Sequence, residues 1–366
     1  MTNEWKNDEI EPEDTSSGEI EQPFDPKKVD ITTKQMILEI FFRRLRKDEI
    51  DLNTFFQREA DLWGPVKQSR LIESILIKLP LPAFYFDGSD DDKWLVVDGL
   101  QRLSTFKNFV VDNKFKLQGL EYLTDFIGKD FESLPRELQR RIEEHEVTVY
   151  IINPGTPDDV KFNIFRRINT GGLELTPQEI RNALNQGIPT EFINKLANLP
   201  GFKIFNINTK RMNDRDFVTR FVSFYIHAKK EYTPDLDTFM NRSMKKLKKL
   251  SESERDKIKG VFTKSLAFSW SIFGDDAFRK RYSSKEKRHP INKSLFEVWT
   301  VTLARLTDSE LKTLVAKKDL LKELFIDLLL NDSAFEEAIS SGTGSKDSVS
   351  KRYKGIEKIV EKTLND

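Results

Sequence analysis

The residues best suited to chemistry in this sequence lie at positions 98–102, where an apolar run, a turn and a helical pattern meet. The run Trp94 to Val97 is bulky and β-branched, which predicts a short buried strand. Gly99 permits a sharp turn, and the apolar residues after it follow helical spacing. The free backbone N–H groups and the dipole at the start of such a helix favour a phosphate.

Three polar side chains surround this turn. Arg102 can hold phosphate oxygens with its planar guanidinium group. Asp98 can bind a metal ion, orient a water molecule or pair with Arg102, and Gln101 can donate or accept a hydrogen bond. The alternative is an ordinary Asp-Gly turn followed by a solvated arginine, since short glycine-containing motifs occur by chance. The residues alone leave both interpretations open.

Two further polar clusters follow predicted regular elements, which is where binding sites are usually built. They are Phe56-Gln57-Arg58 and Phe165-Arg166-Arg167-Ile168-Asn169-Thr170-Gly171-Gly172. Arginine occurs in both clusters and in the turn at 98–102, and two of these three sites contain glycine. This mixture suits a polyphosphate that is held by backbone amides and guanidinium groups. The alternative for Arg166 and Arg167 is a solvated helix end that the helix dipole favours.

Regular elements must hold these clusters in place, and the hydrophobic periodicity predicts where they lie. Helices are predicted over 32–45, 67–79, 100–112, 135–142 and 157–168, and strands over 50–52, 83–87, 94–98, 115–117 and 147–152. Thr32 and Gln35 form a capping box that predicts the start of the first helix. Thr176, Pro177 and Glu179 give three agreeing signals for a further helix start. The two strands that precede the turn are predicted to form a hairpin.

The chain divides into an arm and two regions of different character. Residues 1–31 are acidic, poor in apolar residues and dotted with proline, which predicts a disordered or loosely docked arm. Residues 32–187 mix helix and strand patterns, whereas every strong pattern in residues 188–366 is helical. We therefore predict an α+β fold in which an α/β domain precedes an all-α domain, with a flexible link at 340–345.

Composition excludes several classes of function. The chain has 366 residues, with 60 Lys+Arg against 60 Asp+Glu, so net charge gives no general attraction to nucleic acid or membrane. The absence of cysteine excludes disulfides, thiolate zinc sites and cysteine nucleophiles, and it fits a reducing compartment. No apolar run reaches the roughly 18 residues of a membrane span, and the acidic N-terminus is unlike a signal peptide. We expect a cytoplasmic protein that makes no membrane contact.

Four separated motifs give the first region a resemblance to a known family. They are Phe56-Gln57-Arg58, Gln68-Ser69-Arg70-Leu71-Ile72-Glu73, Asp98-Gly99-Leu100-Gln101-Arg102 and Phe165-Arg166-Arg167-Ile168-Asn169, with Leu175-Thr176-Pro177-Gln178 behind the last. In this order and spacing, residues 32–190 resemble the N-terminal domain of GmrSD-type modification-dependent (type IV) restriction proteins. That domain is related to the ParB and sulfiredoxin fold, so the resemblance implies a ParB/sulfiredoxin-like α/β domain here.

The resemblance also implies a function: an α/β core that binds and hydrolyses a nucleoside triphosphate with Mg²⁺, in bacterial defence against phage DNA. By this resemblance Asp98, Gln101 and Arg102 are candidate catalytic residues, and Asp98 is the candidate metal ligand. The candidate nucleotide-binding residues are Gln57, Arg58, Gly99, Arg102, Arg166 and Asn169. The three arginines of this set are expected to converge on one triphosphate.

Two features depart from the family pattern. Leu100 stands where the commonest form of the motif has glutamine, so one polar contact is lost, although leucine suits the apolar helix face. Many relatives also carry a C-terminal HNH-type nuclease domain, whose chemistry needs a histidine and metal-binding side chains. This chain has three histidines, His145, His227 and His289, without that spacing. Any nuclease centre is therefore expected to be weak or to belong to a partner subunit.

DNA is the expected macromolecular partner. Two basic segments, 244–249 and 279–288, stand out in the neutral chain and can follow a phosphate backbone. A solvated helix face is the alternative interpretation. The favoured function is a triphosphate-hydrolysing restriction protein that acts on or senses foreign DNA and can form a homo-oligomer. The alternatives are a ParB-like module in which a nucleotide gates DNA binding without turnover, and a non-catalytic interaction scaffold.

Overall fold

The structure, a computed structural model, describes residues 9–14, 25–52, 63–90, 92–168, 175–283 and 286–366. The chain forms two compact units. The first, which we call the α/β unit, comprises residues 24–184. The second, the helical unit, combines the N-terminal segment up to residue 23 with residues 185–366.

One five-stranded mixed sheet organises the α/β unit. Its strands are β1 (Ile31–Ile37), β2 (Ile50–Asp51), β3 (Phe84–Asp87), β4 (Trp94–Asp98) and β5 (Glu146–Ile152). The spatial order is β1-β5-β3-β4-β2. The pairs β1–β5 and β3–β4 are antiparallel, whereas β5–β3 and β4–β2 are parallel. The predicted hairpin is thus the centre of the sheet, and it ends at the turn that carries the candidate site.

Helices cover both faces of this sheet. They are α1 (Leu38–Arg46), α2 (Pro65–Leu76), α3 (Leu100–Phe106), α4 (Arg136–Glu143), α5 (Asp158–Ile168) and α6 (Pro177–Leu184). Helices α1 to α4 pack on the face that buries Phe84 and Val96. Helices α5 and α6 pack on the opposite face, which buries Val97 and Ile152. The alternation of side chains along a strand explains why Val96 and Val97 serve different cores.

The helical unit has its own core, which is rich in phenylalanine. Its helices are α7 (Ile188–Ala197), α8 (Pro200–Lys203), α9 (Asn213–Ile226), α10 (Leu236–Lys249), α11 (Glu252–Phe273), α12 (Lys293–Arg305), α13 (Asp308–Ala316), α14 (Lys318–Asn331), α15 (Ser333–Ser340) and α16 (Lys346–Asn365). Within 185–283 and 286–366 every regular element is helical, apart from isolated bridges at Ile291. The helical character predicted for this region is confirmed. Residues 9–14 of the acidic arm lie against this unit, where Ile10 forms a bridge with Ile291.

Most predicted elements of the α/β unit are confirmed, but the first helix was placed too early. Residues 31–37 form β1, and α1 begins only at Leu38. The local Thr32–Gln35 capping signal is outweighed by pairing with β5, in which Ile31 faces Ile152 and Ile37 faces Glu146. Long-range strand pairing therefore overrides a local helix signal here.

Two further predictions are wrong. The predicted strand at 115–117 is a loop, because Leu117 exchanges backbone hydrogen bonds with another loop, at Gly128 and Lys129. The predicted flexible link at 340–345 is held in place, since Thr343 is fully buried and its carbonyl accepts a hydrogen bond from Arg352.

No helix in the described parts of the chain is both long enough and apolar enough to cross a membrane.

Candidate functional site

The candidate site begins where β4 runs into α3. Gly99 joins the two elements with φ +104° and ψ 7°, a left-handed conformation that a side chain would strain. A Cβ atom at Gly99 would also lie 2.4 Å from the Phe84 ring. The turn therefore needs glycine for two independent reasons, and the predicted strand–turn–helix arrangement is confirmed.

Arg102 is buried beneath this turn and its guanidinium group is occupied by the protein. Its Nη2 donates to Asp98 Oδ2 and to the Ala83 carbonyl, both at 3.0 Å, and its Nη1 donates to the Pro82 carbonyl. The guanidinium group also lies 4.2 Å from the centroid of the Phe84 ring. From the sequence, Arg102 could either hold phosphate oxygens or pair with Asp98, and the structure shows the pairing with Asp98. Arg102 fixes the loop before β3 to the start of α3 and holds the Asp98 carboxylate.

Asp98 is the exposed member of this ion pair. Its side chain is 21% exposed, against 9% for Arg102. Oδ2 accepts the hydrogen bond from Arg102, whereas Oδ1 has no hydrogen-bond partner among the residues that the structure describes. A carboxylate held rigidly through one oxygen can present the other to a water molecule, a hydroxyl group or a metal ion.

Tyr85 is a neighbour of Asp98 that the sequence interpretation missed. The two residues face each other across β3 and β4, and the Tyr85 ring stacks on Tyr150 with centroids 4.7 Å apart. Burial, followed by Tyr150 and the Asp98 carboxylate, raises the pKa of Tyr85 above its ordinary value. The signal was available, since Tyr85 alternates with Phe84 and Phe86 and so must point away from the core they fill.

The described structure does not bring the remaining candidate residues together around the Arg102 guanidinium. Arg166 is exposed in the last turn of α5, which packs on the opposite sheet face from α3. Gln101 is half-buried in α3, beside Arg102 in sequence. Gln57, Arg58 and Asn169 lie outside the described residues. The convergence of three arginines on one triphosphate therefore stays a prediction.

The donor set for a metal ion is small. Among the described residues, no group of three or more histidine, aspartate, glutamate or cysteine side chains comes together as a metal site would require. The histidines have other neighbours: His227 Nδ1 lies 2.8 Å from Glu231, and His289 Nε2 lies 3.4 Å from Glu286. Within the described residues, neither a metal cage nor an HNH-like arrangement surrounds Asp98.

A buried ion pair holds α5 to the hairpin. Lys161 Nζ lies 3.2 Å from both carboxylate oxygens of Asp87, and it also bonds the Ser89 hydroxyl. Lys161 and Asp87 are both buried. Lys161 lies in the first turn of α5, which begins at Asp158, and the helix predicted over 157–168 is thereby confirmed.

The basic segments predicted to meet DNA differ from each other. In 279–288, Arg279 and Lys280 are buried, and Lys280 Nζ bonds Glu11 at 2.8 Å. The prediction that these two cations face DNA is wrong, because burial within the helical unit commits them to its packing. In 244–249, Lys248 and Lys249 are exposed at the end of α10.

Comparison with known proteins identifies the region that contains the site. Residues 38–186 match the family model described as the N-terminal domain of the GmrSD restriction endonuclease. This segment is a GmrSD N-terminal domain. No curated protein and no solved structure matches the chain.

The GmrSD N-terminal domain begins at α1 and ends just after α6. It therefore contains the strand–turn–helix with Asp98, Gly99 and Arg102, whereas β1 precedes the matched segment. The resemblance seen in the sequence motifs is confirmed at the level of this domain.

Proposed function

We propose that this protein acts in restriction defence against foreign DNA and that its α/β unit binds and hydrolyses a nucleoside triphosphate. A GmrSD N-terminal domain implies a restriction protein. The nucleotide part of the proposal rests on the Asp98 carboxylate, which is fixed by Arg102 at the end of β4 with its second oxygen directed to no described protein partner.

The donor set at Asp98 fits Mg²⁺ that arrives with a nucleotide. In nucleotide sites Mg²⁺ is usually held by one or two carboxylates together with phosphate oxygens and water. One open carboxylate satisfies that requirement, whereas a dedicated protein cage would need more ligands than the described residues gather. When bound, Mg²⁺ would neutralise part of the charge of the triphosphate.

Each residue of the turn has a distinct proposed role. Asp98 would hold Mg²⁺ or orient the attacking water, and the backbone at Gly99 lets a phosphate approach the start of α3. Arg102 holds Asp98 in place by the 3.0 Å hydrogen bond and contributes to activity through that contact. Gln101 lies next to Arg102 and supplies an amide to the bound ligand.

The test is phosphate release by the purified full chain. The protein is incubated with each of the four common ribonucleoside triphosphates and Mg²⁺, with and without unmodified or modified DNA, and nicking of a supercoiled plasmid is recorded in parallel. Asp98→Asn is expected to lower turnover at least about tenfold, as removal of a positioned acid–base group usually does.

The matched control is Asp125→Asn, a change of the same chemistry at an exposed position of the α/β unit. It should leave turnover unchanged. Turnover by Asp98→Asn equal to that of the control would contradict the assigned role. Absence of any phosphate release by the unaltered protein with all four triphosphates, with or without DNA, would contradict the hydrolytic proposal itself.

A second candidate is a ParB-like module in which a bound triphosphate gates DNA binding and remains intact. It is favoured by the occupied Arg102 guanidinium, which leaves only one charged side chain of the turn open to a ligand. In that case the triphosphate should tighten DNA binding in a filter or anisotropy assay while no phosphate is released.

For the DNA contact we propose the exposed end of α10, with Lys248 and Lys249. Replacing both with glutamine should weaken DNA binding and reduce its salt dependence by about two counterions, since each phosphate contact adds about one to the slope. An unchanged salt slope would place the DNA surface elsewhere.

A further inference from the structure

The acidic segment 9–14 is recognised by the helical unit in two ways, through its backbone and through its side chains. The Glu11 amide donates to the Ile291 carbonyl at 2.9 Å, and the Ile291 amide donates to the Glu9 carbonyl at 3.0 Å. Further along, the Thr343 amide donates to the Asp14 carbonyl at 3.0 Å. Such backbone pairing is how proteins bind an extended peptide.

The acidic side chains of the segment enter sites that are built for carboxylates. Glu13 receives both guanidinium Nη atoms of Arg220, at 2.8 and 2.7 Å, and the Thr343 hydroxyl at 2.8 Å. Glu11 receives Lys280 Nζ at 2.8 Å and the Asn292 amide at 3.1 Å. Two-pronged arginine–carboxylate contacts of this kind are among the strongest and most geometrically specific in proteins.

The floor of the groove needs a carboxylate at position 13. Arg220 and Arg352 are buried around a single buried acid, Glu297, which bonds Arg352 at 3.0 and 2.9 Å and lies 3.6 Å from Arg220. The nearby Lys293 is balanced by Asp216, 2.7 Å away, so the two arginines and Glu297 leave one positive charge, and Glu13 supplies the missing negative charge. Burial raises the pKa of Glu13, but Arg220, Lys293 and hydrogen bonds from Arg220 and Thr343 outweigh it and hold the pKa below its ordinary value.

Segment 9–14 is far in sequence from the residues of the helical unit that it contacts. Glu13 and Arg220 are 207 residues apart in sequence, and the entire α/β unit lies between the segment and residue 185. A short element joined to its groove in this way can fill the same groove of a second molecule with the same contacts, which is the physical basis of arm exchange.

We propose that the helical unit carries a binding groove for an extended acidic peptide, filled by residues 9–14 of its own chain, and that this groove accepts the same segment from a second copy. The ligand pattern is apolar-Glu-Pro-Glu-Asp, as in residues 10–14. The groove reads the peptide backbone as well as the charges, so it selects a peptide over a nucleic-acid phosphate.

The first test uses a fluorescent synthetic peptide of residues 8–15 and the full chain carrying Glu11→Gln and Glu13→Gln, which weakens its own arm. The peptide should bind this variant, and it should bind the unaltered protein at least about tenfold more weakly because the attached arm competes at high effective concentration. A peptide with Glu13→Gln should lose at least about tenfold in affinity, as expected for a charge-assisted pair.

The matched control is a peptide with Glu9→Gln, since Glu9 contacts the groove through its carbonyl. This peptide should bind as well as the original. Failure of the original peptide to bind the variant, with circular dichroism showing it folded, would overturn the proposal. Displacement of bound peptide by an equal concentration of short DNA duplex would also overturn it, because the groove would then be a phosphate site.

The second test asks whether a second copy is the donor. The arm-weakened variant is mixed with full-length Arg220→Ala, which keeps an intact arm but has a damaged groove. Light scattering should show a one-to-one complex in the mixture and none in either variant alone. A mixture of two folded variants that stays separate would refute exchange between copies. If Arg220→Ala fails to fold, Lys280→Ala takes its place, since it removes the contact to Glu11 at the other end of the groove.

Discussion

Both units bury arginine, and they satisfy it in different ways. In the helical unit Arg220 and Arg352 share the fully buried Glu297, and Arg220 also pairs with Glu13, whose side chain is 11% exposed. In the α/β unit Arg102 is satisfied by two main-chain carbonyls and by Asp98, which keeps contact with solvent. The first arrangement is closed, because each carboxylate oxygen accepts a hydrogen bond from another residue of the chain. The second leaves one carboxylate oxygen open, which is what a ligand site requires.

The largest expected effect tests the closed arrangement. Glu297→Ala leaves Arg220 and Arg352 buried around no shared acid, and removing one partner from a buried ion network typically costs about 3–5 kcal/mol. Urea unfolding followed by circular dichroism should show this loss. Glu323→Ala, at an exposed position of α14, is the control and should change the free energy of unfolding by less than about 0.5 kcal/mol. A loss below 1 kcal/mol for Glu297→Ala would show that the network is not closed as described.

The next effect concerns the turn of the open arrangement. Gly99→Ala places a side chain at φ +104°, which costs about 1–3 kcal/mol, and adds a Cβ 2.4 Å from the Phe84 ring. We expect the free energy of unfolding to fall by about 2–4 kcal/mol in total when both terms act. Gly128→Ala is the matched control, because its φ is also positive, at +84°, but no atom lies within 4 Å of its Cβ position. If both variants lose the same free energy of unfolding, the Phe84 contact does not contribute to the effect of Gly99→Ala.

The turn itself was predictable from sequence because its signals are local. The β-branched run before Asp98, the glycine and the helical spacing after it each act within a few residues. The same holds for α6, where Thr176 and Glu179 form the predicted capping box with hydrogen bonds of 2.7 and 3.2 Å. Local patterns of this kind survive folding when tertiary contacts agree with them.

What could not be predicted depends on partners that are distant in sequence. A local capping signal at Thr32 lost to pairing with β5, more than a hundred residues away. The Arg102 guanidinium donates hydrogen bonds to the carbonyls of Pro82 and Ala83 because the loop packs against α3. No sequence pattern indicates these partners. The docking of Glu13 on Arg220 is invisible for the same reason, since acidic composition alone favours disorder.

A smaller effect on stability is expected at Glu73 in α2, because both of its carboxylate oxygens already accept hydrogen bonds within the α/β unit. Its oxygens accept backbone hydrogen bonds from Glu121, Tyr122 and Leu123 at 2.7–3.1 Å. Burial raises the pKa of Glu73, but these hydrogen bonds outweigh it, so that the pKa lies below its ordinary value of 4.5. The ionised carboxylate therefore stabilises the fold above the unfolded pKa, and that contribution is lost as the pH falls through the folded pKa.

Glu73→Gln tests this linkage. At about pH 7 the variant should be about 1–3 kcal/mol less stable, because a charged acceptor of several N–H groups is replaced by a neutral one. The difference should shrink as the pH is lowered below about 4, where the unaltered carboxyl also takes up a proton. Urea unfolding at a series of pH values measures both terms. A difference that stays constant with pH would mean that the charge of Glu73 does not contribute.

Asp98→Asn is expected to cause the smallest loss of stability and the largest loss of activity. Asp98→Asn keeps an oxygen that can accept the Arg102 hydrogen bond, and the side chain is 21% exposed, so the loss should be about 1 kcal/mol. The same change removes the charge of the open oxygen and should abolish most triphosphate turnover. A variant that loses stability as severely as Glu297→Ala would show that Asp98 belongs to a closed network. A variant that keeps its stability and its turnover would show that the open oxygen serves no ligand. The contrast between the two buried arginine sites is supported only if Asp98→Asn loses turnover while its free energy of unfolding changes little. Strain or misfolding would lower turnover and stability together.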